Sequence, residues 1–171
     1  MRIAFFTDGI YPYVMGGLQK HSYELARYLG ARGVQVDLYA ALPQDQMLKA
    51  WRESLYDEPE PNVTARFVAR PEMPYFPTHY MLGSKVISQR LLEAYEAAEP
   101  ADFIYAQGFT GWAALQKKKR GAKLPPIGVN QHGLEMYQPP PSQRSWMEQR
   151  LLQPYVKKHM RQADAGISLG G

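Results

Sequence analysis

Cysteine is absent from the 171-residue chain. That excludes a disulfide framework, a thiolate metal site and a cysteine nucleophile, and it fits a reducing, cytoplasmic setting. Long apolar runs are absent as well: no stretch approaches the roughly 18 residues of a membrane span. The N-terminus passes straight into strand-forming residues, so no secretory leader is expected. The four histidines are scattered without H-E-x-x-H or comparable spacing, and no metal site is read from them. Neither G-x-G-x-x-G nor G-x-x-x-x-G-K-[ST] occurs, which removes the dinucleotide fingerprint and the P-loop as starting points. Repeats and low-complexity tracts are missing too.

The excess of one charge sign is small. Lys and Arg number 20 against 16 Asp and Glu, a net +4, with a pI near 9.2. This permits an anionic ligand or a membrane surface without requiring either. No basic stripe is interleaved with aromatics, which argues against nucleic acid. What is present is 45% hydrophobic and 21% charged, the balance of a globular chain long enough for one domain with a proper core.

The most informative stretch runs from Arg2 to Leu29. Ile3-Ala4-Phe5-Phe6 reads as a strand buried on both faces. Asp8, Gly9, Tyr11 and Pro12 break it, and Gly16-Gly17 open a helix in which Leu18, Ser22, Leu25, Ala26 and Leu29 share one face. Gly30 and Gly33 stand where that helix is expected to stop. A helix N-terminus carries unpaired N–H groups and about half a positive charge, so it attracts anions. Glycines there let a phosphate approach the backbone. The plainer reading is a tight turn needing glycine for its angles. Both stay open on this stretch alone.

Further along, Val34–Tyr39 reads as a second strand, Gln44–Leu55 as a short helix and Val63–Val68 as a third strand. Pro71 to His79 is an irregular stretch of prolines and aromatics, read as a stiff surface loop or one wall of a pocket. Ile87, Leu91, Ala94, Tyr95 and Ala98 share a helix face that Pro100 should end. Asp102–Ala106 forms a strand, Gly111–Lys118 a helix and Ile127–Asn130 a strand. Ser142 or Ser145 should cap the next helix, and Pro154 should kink or restart it. Ala165–Ser168 closes the series as a strand. Alternation of strands and helices implies an α/β fold: a doubly wound, mostly parallel, Rossmann-like sheet.

Such sheets bind ligands at the carboxyl ends of their strands. That rule collects Asp8, Tyr11 and Gly16-Gly17 after the first strand, Gln107 and Gly108 after the Phe103-Ile104-Tyr105 strand, and Asn130, Gln131, His132, Gly133 and Glu135 after Ile127-Gly128-Val129. His132 is the sharpest single candidate. Before a glycine at a strand end it would enter the crevice, where imidazole donates, accepts or carries charge near neutral pH. Its alternative is to satisfy loop backbone groups. His21, His79 and His159 are weaker candidates. The basic runs Lys117-Lys118-Lys119-Arg120 and Lys157-Lys158-His159 with Arg161 read as solvated helix ends, with anionic lipid as the rival partner.

Taken in order, these residues resemble the N-terminal half of the family-4 glycosyltransferases. The resemblance rests on Asp8-x-x-Tyr11-Pro12-x-x-x-Gly16-Gly17 and its helix, on Asp102 to Leu115, on Val129-Asn130-Gln131-His132-Gly133-Leu134-Glu135, and on Ala163-Asp164-Ala165-Gly166-Ile167-Ser168. It covers nearly the whole chain.

It implies one half of a GT-B enzyme of two Rossmann-like domains, moving a sugar from a nucleotide-sugar donor to a glycan, lipid or small-molecule acceptor. The transfer would retain anomeric configuration and need neither cofactor nor essential metal. Residues 1–171 would be the N-terminal, acceptor-side domain. The C-terminal nucleotide-binding domain would be missing, and the chain alone would be inactive.

Within that picture Gly16 and Gly17 approach the donor diphosphate, and His132 contacts the donor sugar and steadies an oxocarbenium-like transition state. Asp8, Tyr11, Gln107, Gly108, Gly133 and Glu135 line the cleft or hold the acceptor. The chain departs from the family's frequent His-x-His at Tyr105-Ala106-Gln107, and from R-G-H-x-V at Arg32-Gly33-Val34-Gln35-Val36. A stand-alone module binding an anionic small molecule, and half of a GT-B sugar-nucleotide epimerase, are the competing readings.

Overall fold

The computed structural model describes residues 1–52, 54–56, 60–74, 79–131, 137, 139 and 143–168. Strand β1 (Arg2–Thr7) leads into helix α1 (Gly17–Ala31), β2 (Gln35–Leu42) into α2 (Gln44–Arg52), and β3 (Val63–Ala69) into α3 (His79–Glu96). Then follow β4 (Phe103–Gln107), α4 (Trp112–Lys119), β5 (Ile127–Asn130), α5 (Gln143–Gln162) and β6 (Ala165–Ile167). The strands form one six-stranded sheet in the order β3-β2-β1-β4-β5-β6, every pairing parallel. This is the doubly wound, Rossmann-like arrangement.

The period-two alternation of the strands divides the core into two layers. Ile3 and Phe5 of β1, with Val36, Leu38, Ala40 and Leu42 of β2, face Ala26 of α1 and Ala50 of α2. Ala4 and Phe6, with Tyr39 and Ala41, face Ile87, Leu91 and Tyr95 of α3 and Leu115 of α4. Phe5 and Phe6 are fully buried on opposite sides, each removing roughly 1.5–3 kcal/mol worth of apolar surface from water.

Several boundaries differ from the sequence reading. Gly30 does not end α1: it lies inside the helix, where a Cβ would stand 2.6 Å from Val63 Cγ2, so it lets α1 approach β3. The stop comes at Gly33, with φ +79°. His79 opens α3 and is not part of the preceding loop. That helix ends at Glu96, before Pro100. Strand β4 reaches Gln107, which is therefore the last strand residue and not the first of the loop. Ser145 lies within α5, which passes through Pro154 without a break. Pro154 sits on the exposed side, where the carbonyl deprived of its N–H partner meets water. Ser142 lies outside the described residues.

Asp164, just before β6, ties three elements together. One carboxylate oxygen accepts the Ile127 N–H at 2.7 Å and Lys118 Nζ at 2.6 Å. Partial burial pulls its pKa upward, but these donors outweigh that and hold it below the usual carboxylate value.

Candidate functional site

Helices α1 and α4 leave neighbouring strands for opposite faces of the sheet. Between β1 and β4 the winding therefore reverses, and a crevice opens beyond the carboxyl ends of those strands. Its walls are the loop from Asp8 to Gly16 and the turn from Gly108 to Gly111.

Under the crevice floor lies a polar cluster that joins three elements. Thr7, Ser22 and Gln107 are each buried, none more than 1% exposed. Ser22 Oγ lies 2.8 Å from Leu18 O, 2.5 Å from Gln107 Oε1 and 3.3 Å from Thr7 Oγ1. Thr7 Oγ1 in turn donates to Gly9 O at 2.8 Å. Ser22 has one hydroxyl proton and two acceptors, while Gln107 Nε2 is buried without a partner. Turning the Gln107 amide resolves the first: the amide NH2 then donates to Ser22 Oγ, and Ser22 donates to Leu18 O. The cluster clamps the first turns of α1 to β4. Ser22 and Thr7 were not picked out as site residues from the sequence. A serine within an otherwise apolar helix stripe was the available signal.

Gln107 thus lies beneath the crevice. Gly108 follows with φ +56°, a left-handed angle that favours glycine, and its N–H donates to Asn130 O at 2.8 Å. Asn130 Nδ2 donates to Tyr105 OH at 2.7 Å, and Thr110 Oγ1 lies 2.7 Å from Gln107 O. The first two bonds join the carboxyl ends of β4 and β5, and the third closes the turn after β4. His132, Gly133 and Glu135 lie outside the described residues, beginning one position beyond Gln131. Residues 75–78 of the proline-rich stretch lie outside them as well.

On the β1 side, Asp8 accepts from Gln19 Nε2 at 3.2 Å, and its carbonyl accepts from Arg70 Nη2. Arg70, which the sequence reading passed over, pins this loop from the end of β3. The Tyr11 ring meets Tyr23 edge-on at 5.5 Å, packing the loop onto α1, and the Tyr11–Pro12 peptide is cis. Gly16 occupies the α1 N-cap position, with no side-chain cap bond and no acidic residue in the first turn. A Cβ at Gly16 would displace the Gln19 amide, whereas a Cβ at Gly17 would meet nothing within 4 Å. Gly17 is also not among the positive-φ glycines. Neither packing nor backbone angle calls for glycine there.

Among the described residues no cluster of three or more His, Cys, Asp or Glu side chains is placed to hold a metal ion. No described helix is long and apolar enough to cross a membrane. His159 of α5, 3% exposed, packs behind the Gly108–Gly111 turn against the Phe109 and Trp112 rings. Burial pushes its pKa down to about 4.

A parallel sheet with its reversal between β1 and β4, a glycine-opened helix beside the crevice and a polar floor defines a domain of the Rossmann class. Residues 15–169 match Glycosyltransferase Family 4, and the chain belongs to that family. Among solved structures it is similar to the sucrose-phosphate synthase of Thermosynechococcus elongatus, with a TM-score of 0.61 and 17% identity over 98% of this chain and 46% of the other. It is also similar to the N-terminal domain of Candida albicans trehalose-6-phosphate phosphatase, with a TM-score of 0.57 and 14% identity over 96% and 39% of the two chains. The chain thus spans less than half the length of either structure. No curated protein matches it by sequence.

Proposed function

We propose that this chain supplies one wall of a glycosyl-transfer site, in which a sugar passes from a nucleotide diphosphate to a hydroxyl acceptor with retention of configuration. In this reading the bond from the sugar's anomeric carbon to the diphosphate breaks, and negative charge builds on the departing phosphate. The N–H groups at the start of α1, reached past Gly16 and Gly17, stabilise that charge. His132 hydrogen-bonds the donor sugar and steadies the positive charge on its ring. The turns after β1, β4 and β5 hold the acceptor. A second domain brings the nucleotide, and no metal is required.

The observation that carries this reading is Gly17. Glycine in a helix start costs stability relative to alanine, and here neither a close neighbour nor a left-handed angle compensates for that cost. An open approach to the helix terminus does. Kinetics of the intact enzyme test it. Gly17→Val should leave thermal stability unchanged or higher while raising the KM for the nucleotide-sugar at least tenfold, and His132→Ala should depress kcat. Unchanged donor kinetics for Gly17→Val would leave the glycine without a role in donor binding. The intact mass of the native protein separates this reading from a stand-alone binding module: a mass well above 19.5 kDa leaves room for the donor-binding half.

A further inference from the structure

Helix α5 carries five basic residues and one acid, a balance equal to the net +4 of the whole chain. The remainder of the protein is electrically even. In the other basic run Lys117 bridges to Glu96 at 2.5 Å and Lys118 to Asp164 at 2.6 Å, while Lys119 and Arg120 are exposed. On α5, Arg150, Lys157, Lys158 and Arg161 are exposed, and none forms an ion pair with a described side chain.

The same side of the helix is apolar. Trp146, Met147, Leu151 and Tyr155 are 44–59% exposed, and Pro154 stands beside them. At about 100° per residue, these positions and the four cations share one contiguous half of the helix circumference. The opposite half buries Val156 and His159. Every exposed position described on α5 is therefore basic or apolar, and none is acidic. The Arg150 guanidinium lies 5.3 Å from the Trp146 ring.

We propose that this face of α5 docks on an anionic lipid bilayer. Aromatic rings at the headgroup level, Met and Leu reaching the acyl boundary, and Lys and Arg extended toward lipid phosphates are the composition of an interfacial helix. Charge complementarity selects the occupant: among the described exposed positions of α5 the charges are all positive, and they match a continuous negative surface. The helix lies flat on that surface along roughly 30 Å. This docking is independent of the chemistry at the crevice.

The test is flotation of the intact protein with vesicles of phosphatidylcholine alone or of phosphatidylcholine mixed with phosphatidylserine. Binding is expected only with phosphatidylserine and should weaken as salt is raised. Lys157→Gln with Lys158→Gln should lower the partition constant about 25-fold, roughly fivefold per cation, with an unchanged circular dichroism spectrum. Leu151→Ser should weaken binding while leaving its salt dependence in place. Absence of flotation, or binding that the double variant does not reduce, overturns the proposal. So does protection of Lys157 and Lys158 from amine labelling without vesicles, which would mean that another part of the protein or a second protein covers the face.

Discussion

A proton on His159 has nowhere favourable to go. The ring is 3% exposed and its Nε2 is without a partner, with Phe109 and Trp112 at centroid distances of 5.4 and 6.4 Å. Burial lowers its pKa from 6.5 to about 4, so the native state holds the neutral ring while the unfolded chain takes up a proton near pH 6.5. The stabilisation that follows is present above the unfolded value and is lost as pH falls from about 6.5 toward 4. At about pH 5 the unfolded chain is almost fully protonated at this site and the native chain about one-tenth so, which corresponds to roughly 2 kcal/mol. Urea unfolding at neutral pH and near pH 5, on the wild type and on His159→Leu, isolates the effect. Wild type should lose about 2 kcal/mol more than the variant across that interval, whatever constant difference the substitution itself introduces. Equal losses would refute the reasoning, showing that water reaches the ring between α4 and α5 and that it ionises at its ordinary value.

Two further outcomes follow from the packing. Ser22→Ala leaves the buried Gln107 amide without its hydroxyl partner and should destabilise the chain by roughly 1–3 kcal/mol, whereas Ser22→Ala combined with Gln107→Leu should recover part of that loss; urea midpoints of the single and double variants decide it. Gly128→Ala places a Cβ 2.5 Å from Phe103 Cζ and 2.8 Å from Ile167 Cδ1, and should cost about 2 kcal/mol by overpacking between strands, read as a lower thermal midpoint with an unchanged far-ultraviolet spectrum.

The parallel sheet was legible because each strand is a short apolar run between turn residues, and because alternation with helices leaves few alternatives. β5 was bounded correctly as Ile127–Asn130, where Pro125-Pro126 precede it and Gln131-His132-Gly133 follow it. The glycine-opened start of α1 was equally plain. Less accessible was anything that depends on which strands become neighbours. Ser22 and Gln107 are 85 residues apart, and only the adjacency of β1 and β4 turns a serine in an apolar stripe into half of a buried hydrogen bond. Gly30 read as a stop because local propensity says so, while its actual neighbour, Val63, belongs to a different element. Asp164 was noticed as part of a recurring pattern, but its service to Ile127 and Lys118 required the closing of β5 against β6. Pairing across distance, in short, is invisible to periodicity.

The strand order also sets a schedule for the growing chain. Residues that pair β1 with β2 and β2 with β3 leave the ribosome early, but the other side of β1 stays open until Phe103–Gln107 emerges. During that interval the nascent chain carries a bare hydrogen-bonding edge whose two faces are Phe5 and Phe6, with about a hundred residues of chain still to be made or threaded past it. A chain halted before Phe103 therefore leaves the doubly buried strand β1 as an edge, and self-association or chaperone capture is its expected fate.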